Sequence, residues 1–174
     1  VEASIEGAAL AYTENDGAVA ITATLAITDL DDTNMESAIV QLTTNYQNGE
    51  DVLAFTDQNG ISGVWTVGTG TLTLTGTATL ASYEPAPRSP TYENTSAHPS
   101  TRTRTVSFTF NDGSVEPNTQ DGNVAGAHVN DAPVEASIEG AALAYTENDG
   151  AVAITATLAI TDLDDTNMES AIVQ

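Results

Sequence analysis

The sequence contains no cysteine and no lysine, and its basic residues are three arginines and two histidines. Without cysteine there is no disulfide framework. The absence of disulfides is compatible with a cytosolic protein and equally with a secreted protein that is stabilised by metal ions instead. With 25 acidic residues the formal net charge is −22, so we expect nucleic acid and anionic membrane surfaces to repel the chain. A chain with this charge needs strong solvation or bound cations.

What the sequence does contain is an exact internal repeat. Residues 1–41 return without a difference as residues 134–174, at an offset of 133. Repetition at a fixed period is typical of arrays of stacked modules. A unit of 133 residues can bury its own core, whereas 41 residues cannot do so without a partner. We therefore expect a complete domain over 1–133 and the first third of the next repeat over 134–174. The alternative frame treats 42–174 as a split domain.

No apolar run reaches membrane-spanning length, and no signal peptide opens the sequence. Because the sequence begins within a repeat, the second absence does not bear on export. Hydrophobic residues make up 40% of the chain and charged residues only 16%, so the chain is not a disordered acidic tail. The acidic residues are instead clustered.

Alternation with period two is the main local signal, and it predicts strands with one buried face. The alternating segments are Ala18–Thr28, Ser37–Thr43, Val52–Phe55, Thr71–Leu80 and Thr105–Phe110. We expect Trp65 to be the largest side chain of the core and one short helix to lie within Thr79–Ser89. Short strands separated by Asn- and Gly-rich turns predict an all-β fold, an antiparallel β-sandwich of the cadherin or immunoglobulin type with about seven strands.

Acidic side chains fall at the turns of this predicted sandwich. If strands alternate in direction, the loop after residue 28 and the loop after residue 110 share one end, and Glu14 shares the other end with the exit at Asn130. The acidic loop of the second copy then faces that exit. The predicted metal ligands are Glu14, Asp16, Asn130, Asp131, Asp162, Asp164 and Asp165, with Asp29, Asp31, Asp32 and Asp112 at the other end of the domain 1–133.

Such clusters of carboxylates predict a bound cation. Close carboxylates repel one another by roughly 1 kcal/mol per pair even in high dielectric. Oxygen ligands from Asp, Glu, Asn and backbone carbonyls at mixed spacing suit Ca²⁺, whereas Mg²⁺ keeps more of its waters. Asp and Asn also favour turns, which is the alternative explanation of any single cluster. The loop DLDDTNME lacks the central glycine of an EF-hand.

The segments TENDG, DLDDTN, FTFNDG and VNDAP together resemble the cadherin-like tandem repeats of giant bacterial surface adhesins of the RTX type. The resemblance implies extender modules in which Ca²⁺ at the junctions rigidifies the array and holds a distal binding region away from the cell. It implies that Glu14 is the acidic ligand of the first strand, Asp162 and Asp164 the DxD ligands, and Asn130 with Asp131 the linker ligands. The NDAP linker is shorter than the cadherin one, so the number of ions stays open.

Other chemistry has weaker support in the sequence. His98 and His128 lack the spacing of zinc ligands, and the paired acids lie in turns without a cleft, so we do not expect an enzyme. Four aromatic residues offer a sugar-stacking platform, although core packing explains each of them as well: Tyr46, Trp65, Tyr83 and Tyr92. The alternatives to an extender are therefore a Ca²⁺-dependent carbohydrate-binding module and a homophilic adhesion domain.

The sequence thus predicts a secreted, cell-surface extender module of a bacterial adhesin, stiffened by Ca²⁺ and associated with biofilm formation. Its expected partners are neighbouring repeats of the same array, with no nucleic acid and no insertion into a membrane. Because residues 42–131 could complete a sandwich with either identical copy, strand-swapped self-association is a further expectation.

Overall fold

The computed structural model describes residues 1–113 and 118–173 of the chain. They form a first unit, Val1–Val129, and a second unit that begins at Asn130. Within the described residues no helix is long and apolar enough to cross a membrane.

The first unit is built almost entirely from β-strands. Its elements in chain order are β1 (Glu2–Ser4), β2 (Leu10–Thr13), β3 (Val19–Ala20), β4 (Ala26–Thr28), β5 (Asn34–Thr44), β6 (Asp51–Ala54), β7 (Ser62–Thr66), β8 (Thr71–Thr79), α1 (Leu80–Tyr83), β9 (Thr91–Asn94), β10 (Arg104–Asn111) and β11 (Asn118–Ala127). The predicted all-β class is confirmed, although the described strands are more numerous and shorter than expected. The short helix α1 lies within Thr79–Ser89, where one short helix was predicted.

Three groups of strands make up a sandwich. The largest sheet has the order β2-β11-β10-β5-β8-β7, a second has the order β3-β9-β6, and β1 pairs with β4. All pairings in these sheets are antiparallel except that of β2 with β11, which is parallel. The second strand of the unit thereby runs beside the last, and β2 forms one edge of the large sheet.

The alternating pattern in β10 explains the position of the core. Val106, Phe108 and Phe110 are fully buried, and the residues between them are only partly buried. In β5, Val40 is also fully buried and pairs with Phe108 on one side and Leu72 on the other. The predicted strands around these residues are therefore confirmed, because their apolar faces meet across neighbouring strands.

The predicted continuous strand over Ala18–Thr28 is wrong. The segment contains the two short strands β3 and β4, and Ala23, which was expected on the buried face, is exposed. The side chain of Thr22 accepts hydrogen bonds from the backbone N–H groups of Thr24 and Leu25 at 3.4 and 3.2 Å, and this local turn interrupts the strand. Leu25 and Ile27 still reach the core.

Trp65 is not the central core residue that the sequence suggested. Its side chain is only partly buried, in β7 at the edge of the large sheet. The largest fully buried side chains include Arg104, Tyr83 and Tyr92. Burial of these polar aromatics and of an arginine depends on partners that are distant in sequence.

Arg104 and Asp51 form a buried ion pair, with Nε of the arginine 3.2 Å from Oδ2 of the aspartate. Asp51 Oδ1 accepts hydrogen bonds of 2.7 Å from both the Tyr92 hydroxyl and the Asn94 amide. The backbone N–H of Gln47 donates to Oδ2 at 2.8 Å. Because the carboxylate is fully buried, these donors are needed to offset its loss of hydration.

The second unit contains only two short strands in its described residues, β12 (Val134–Ala136) and β13 (Ala159–Thr161). They repeat the pairing of β1 with β4, but with a slip of one residue. In the first copy Glu2 lies opposite Thr28, whereas in the second copy Val134 lies opposite Thr161. A slip of one residue exchanges the two faces of a strand, and it is tolerated here because neither face of β12 is buried.

Candidate functional site

An acidic loop follows β4 and turns around the side chain of Asp29. Its Oδ1 accepts hydrogen bonds from the backbone N–H groups of Asp31 and Asp32, each at 3.2 Å. Asp side chains stabilise turns in this way. The turn directs Oδ2 inward, and this atom is buried and accepts no hydrogen bond from the described residues. The loop therefore has a carboxylate oxygen shielded from water.

A second carboxylate of the first unit lies near this oxygen. The amino nitrogen of Val1 is 3.3 Å from Asp29 Oδ2 and 3.7 Å from Asp112 Oδ2, in the loop that follows β10. The side chains of Asp29 and Asp112 are 1% and 5% exposed. Two strands that are distant in sequence thus bring two carboxylates close enough to share one cation.

The carboxyl groups of this loop also affect each other. Hydrogen bonds from the backbone N–H groups of Asp31 and Asp32 hold the pKa of Asp29 well below its usual range. The neighbouring Asp29 side chain raises the pKa of Asp31. The pKa values of the two neighbouring carboxyl groups are thus shifted in opposite directions, as expected where negative charges are crowded.

The second copy repeats the loop with a different partner. Asp162 Oδ1 accepts hydrogen bonds from the backbone N–H groups of Asp164 and Asp165, each at 3.1 Å. Asp164 Oδ2 accepts one from the backbone N–H of Asp131, also at 3.1 Å. Oδ1 of Asp164 and Oδ2 of Asp131 are buried and have no hydrogen-bond partner among the described residues.

Glu14 lies at the end of β2, and its side chain holds the last residue of the first unit. Glu14 Oε2 accepts a hydrogen bond of 3.0 Å from the backbone N–H of Val129, and the backbone N–H of Glu14 donates to the carbonyl of Ala127 at 2.9 Å. The carboxylate is buried. It therefore fixes the direction in which the chain leaves the sandwich.

Other predicted ligands have local roles. Asp16 Oδ2 accepts a hydrogen bond of 2.8 Å from the N–H of Thr13 and closes a turn. The Asn130 amide donates to the carbonyl of Asp131 at 2.7 Å. Asp32 and Asp165 are exposed and contribute backbone N–H groups to their loops. The structure thus groups Asp29, Asp31 and Asp112 in the first unit, and Asp131, Asp162 and Asp164 in the second.

The chemistry of these two groups fits a hard divalent cation. The first has one buried carboxylate oxygen and the second has two that accept no hydrogen bond from the described residues, and such atoms are costly unless a cation or a donor meets them. Two of the three arginines are bound elsewhere, Arg88 to Glu84 at 2.8 Å and Arg104 to Asp51. Asp131, Asp162 and Asp164 would supply carboxylate oxygens, which are ligands of the kind that Ca²⁺ prefers.

Known proteins give no further guide to the chemistry of these carboxylates. Comparison with protein-family models, with curated proteins and with solved structures finds no match. The case for a cation therefore depends on the residues themselves.

The carboxylate of Glu6 accepts three hydrogen bonds from Thr22, Ala23 and Thr24 that were not predicted from the sequence. This arrangement is called the Glu6 clamp below. Glu6 Oε2 accepts hydrogen bonds of 2.6 Å from the hydroxyls of both Thr22 and Thr24, and Oε1 accepts one of 3.1 Å from the N–H of Ala23. Partial burial raises the pKa of Glu6, but the two hydroxyl donors outweigh it and lower the pKa to about 2. The only signal in the sequence is a Thr-x-Thr segment, which does not reveal its distant acidic partner.

The same clamp forms in the second copy. Glu139 accepts hydrogen bonds of 2.6 Å from the hydroxyls of Thr155 and Thr157, and these lower its pKa to about 2. The backbone N–H of Ala156 donates to it at 2.9 Å. The second unit does not bury the apolar face of this segment, so these hydrogen bonds form even where the segment is not packed in a core.

The two histidines and the four aromatic residues considered as sites in the sequence have different environments in the fold. The rings of His98 and His128 lie 5.4 Å apart edge to face, although they are distant in sequence. Tyr83 and Tyr92 are buried, so they cannot stack on a sugar. Tyr46 and Trp65 are partly exposed, with ring centroids 6.3 Å apart at a steep angle.

Proposed function

We propose that this chain is an extender module of a secreted bacterial surface adhesin, stiffened by Ca²⁺ at the linkers between repeats. The exact duplication supports an array, because a spacer gains length with each copy. The β-sandwich is a compact unit from which such arrays are built. The adhesin and its surface location come from the resemblance of TENDG, DLDDTN and VNDAP to bacterial extender repeats.

One observation carries the calcium part of the proposal. Carboxylate oxygens of Asp29, Asp131 and Asp164 are buried without a hydrogen bond from the described residues. They lie in the equivalent acidic loops of both copies and in the linker. An orphaned carboxylate oxygen costs about 1–3 kcal/mol, or more when charged, so each loop is stabilised by a cation.

The proposed mechanism is electrostatic. Without Ca²⁺ the crowded carboxylates repel one another, and the linker around Asp131 is free to bend. A bound ion neutralises them and fixes Asp131 against the loop of Asp162 and Asp164. Glu14 holds Val129, which is only two residues before Asp131 in the chain. Glu14 thus holds the residue before the linker, and calcium restricts the linker itself at Asp131.

Chelation tests this proposal. We expect EDTA to lower the melting temperature, because an ion that binds only the folded state stabilises it by mass action. We also expect an increase in the radius of gyration measured by small-angle scattering. Restoring Ca²⁺ in excess is the control, and Mg²⁺ at the same concentration tests selectivity. An unchanged melting temperature and scattering curve on chelation would refute the calcium mechanism.

A carbohydrate-binding module is the second candidate, and the Tyr46–Trp65 pair is the observation that favours it. Stacking on a sugar needs an open aromatic face. A glycan array with Ca²⁺ present separates the two functions, with Trp65→Ala as the matched variant. Binding that the variant loses supports the module, whereas an extender binds no glycan.

A further inference from the structure

Two histidines that are distant in sequence meet on the surface of the first unit. His98 lies in the loop between β9 and β10, and His128 directly follows β11. Their ring centroids are 5.4 Å apart with the ring planes at 62°, and a ring nitrogen of one lies within 4.8 Å of a ring nitrogen of the other. They are the only histidines of the sequence. The fold thus joins two imidazoles whose spacing in the sequence gave no reason to pair them.

The backbone on both sides of His128 is held by Glu14. The backbone N–H of Glu14 donates to the carbonyl of Ala127 at 2.9 Å, and Glu14 Oε2 accepts a hydrogen bond of 3.0 Å from the backbone N–H of Val129. Glu14 is itself buried. The sandwich therefore sets the position of the His128 backbone, while the exposed side chain can change its rotamer.

The loop that carries His98 is anchored as well. The backbone N–H of His98 donates to Ser96 Oγ at 3.1 Å. Further along the loop, Nη1 of the buried Arg104 donates to the carbonyl of Ser100 and, at 2.9 Å, to the carbonyl of Arg102. His98 is thus placed between two points at which the loop is fixed.

This loop lies directly against β11 at Gly126. A Cβ atom at this position would be 3.2 Å from the carbonyl oxygen of Ser100 and 3.3 Å from Nη1 of Arg104. A glycine two residues before His128 therefore allows the close approach of the loop. The packing of the loop on the end of β11, and not the rotamers alone, brings the two imidazoles together.

We propose that His98 and His128 form a binding site for a divalent transition-metal ion, with Zn²⁺ as its simplest probe. Imidazole nitrogen suits Zn²⁺ and Cu²⁺, whereas Ca²⁺ takes oxygen ligands, so the site differs in chemistry from the proposed calcium sites. Two nitrogens bound to one zinc ion at about 2.0–2.1 Å are about 3.4 Å apart in tetrahedral geometry. Rotation of the two exposed side chains closes the remaining distance, and water completes the coordination.

Such an ion ties the loop between β9 and β10 to the strand end from which the chain leaves the first unit. Because only two protein ligands hold it, the ion exchanges more readily than one in a closed structural site with four protein ligands. It stabilises the folded unit in proportion to the free metal concentration, because the unfolded chain does not hold the two rings together. The site thus adds a constraint beside the residues that Glu14 holds.

Titration with Zn²⁺, followed by the NMR signals of the histidine rings, tests the proposal. An excess of Ca²⁺ is present to occupy carboxylates, and the ring signals report only on the two histidines, so the result does not depend on the calcium proposal. The variants His98→Gln and His128→Gln assign the signals. We expect both rings to respond with one midpoint and to saturate at one Zn²⁺ per chain. Each variant is expected to bind Zn²⁺ at least about tenfold more weakly, because a chelating ligand is lost.

Thr101→Ala is the matched control, because Thr101 is exposed in the same loop and supplies no ligand. We expect it to leave the zinc affinity unchanged. The melting temperature gives a second measurement: Zn²⁺ should raise it for the wild type and for T101A, and raise it less for either histidine variant. Two rings with different midpoints, or an unchanged affinity in either histidine variant, would show independent weak binding and overturn the proposal. Rings that do not respond to a molar excess of Zn²⁺ would overturn it as well.

Discussion

The carboxylate of Asp164 accepts a hydrogen bond from the backbone N–H of Asp131 at 3.1 Å, and each of these residues keeps one buried oxygen without a partner among the described residues. The linker residue and the acidic loop of the second copy are thus held together by a single hydrogen bond between groups that also repel. Such an arrangement is stable only if something compensates the remaining charge. The proposed calcium ion would supply that compensation.

The buried ion pair of the first unit gives a prediction that does not depend on calcium. Arg104→Met removes the guanidinium and leaves the carboxylate of Asp51 buried with only neutral donors. We expect the free energy of unfolding to fall by roughly 3–5 kcal/mol in urea denaturation. Arg102→Met is the matched control, because Arg102 is exposed, and it is expected to change stability by no more than about 0.5 kcal/mol. Equal effects of the two substitutions would contradict the assigned role of Arg104.

The Glu6 clamp gives a prediction about pH. Because the pKa of Glu6 is lowered in the folded state to about 2, its contribution is complete above the usual value of 4.5 and is lost as the pH falls toward 2. Glu6→Gln is expected to lower the free energy of unfolding by about 1–2 kcal/mol at neutral pH. The variant should also lose less stability than the wild type between pH 4.5 and pH 2.

The second copy supplies the control for this substitution. Glu139→Gln removes the same clamp from a segment whose apolar face is not packed, so we expect the unfolding of the sandwich to stay unchanged. If E6Q and E139Q affect the main unfolding transition equally, then the clamp does not stabilise the core of the first unit. Urea midpoints at several pH values make this comparison.

Gly76 allows a close approach between two parts of the first unit. It lies in β8 with a φ of 142°, and a Cβ atom there would be 2.3 Å from the carbonyl oxygen of Gly60. Gly76→Ala is therefore expected to lower the free energy of unfolding by at least about 2 kcal/mol. Gly68→Ala is the control, because its Cβ would meet nothing within 4 Å. Similar melting temperatures for the two variants would contradict this account.

Much of the large sheet could be predicted from the sequence. In β5, β8 and β10 the alternation of apolar residues matches the buried face, because both faces of each strand have clear and different environments. The acidic loops could also be predicted, because Asp29 and Asp162 stabilise turns through hydrogen bonds to backbone N–H groups three residues later. Patterns of this kind depend only on neighbours in the chain.

Features that depend on distant partners could not be predicted. Glu6 meets Thr22 and Thr24 across a turn, and this contact accompanies the break in the expected strand over Ala18–Thr28. Arg104 and Asp51 are 53 residues apart, and neither residue type is expected in a core before its partner is known. Asp121 lies in β11, where it accepts a hydrogen bond of 2.6 Å from the hydroxyl of Ser107 in β10.

Calorimetric titration with Ca²⁺ tests the central claim most directly. We expect the wild-type chain to bind Ca²⁺ with a dissociation constant of about 10⁻⁴–10⁻³ M, as extracellular modules do, or more tightly. Asp162→Asn with Asp164→Asn should abolish the site at the linker, and Asp121→Asn, whose carboxylate binds Ser107, should leave it intact. Saturable binding that the loop variant alone loses is the predicted result. No binding by the wild type, or the same number of bound ions with the same affinity in the loop variant, would contradict the account.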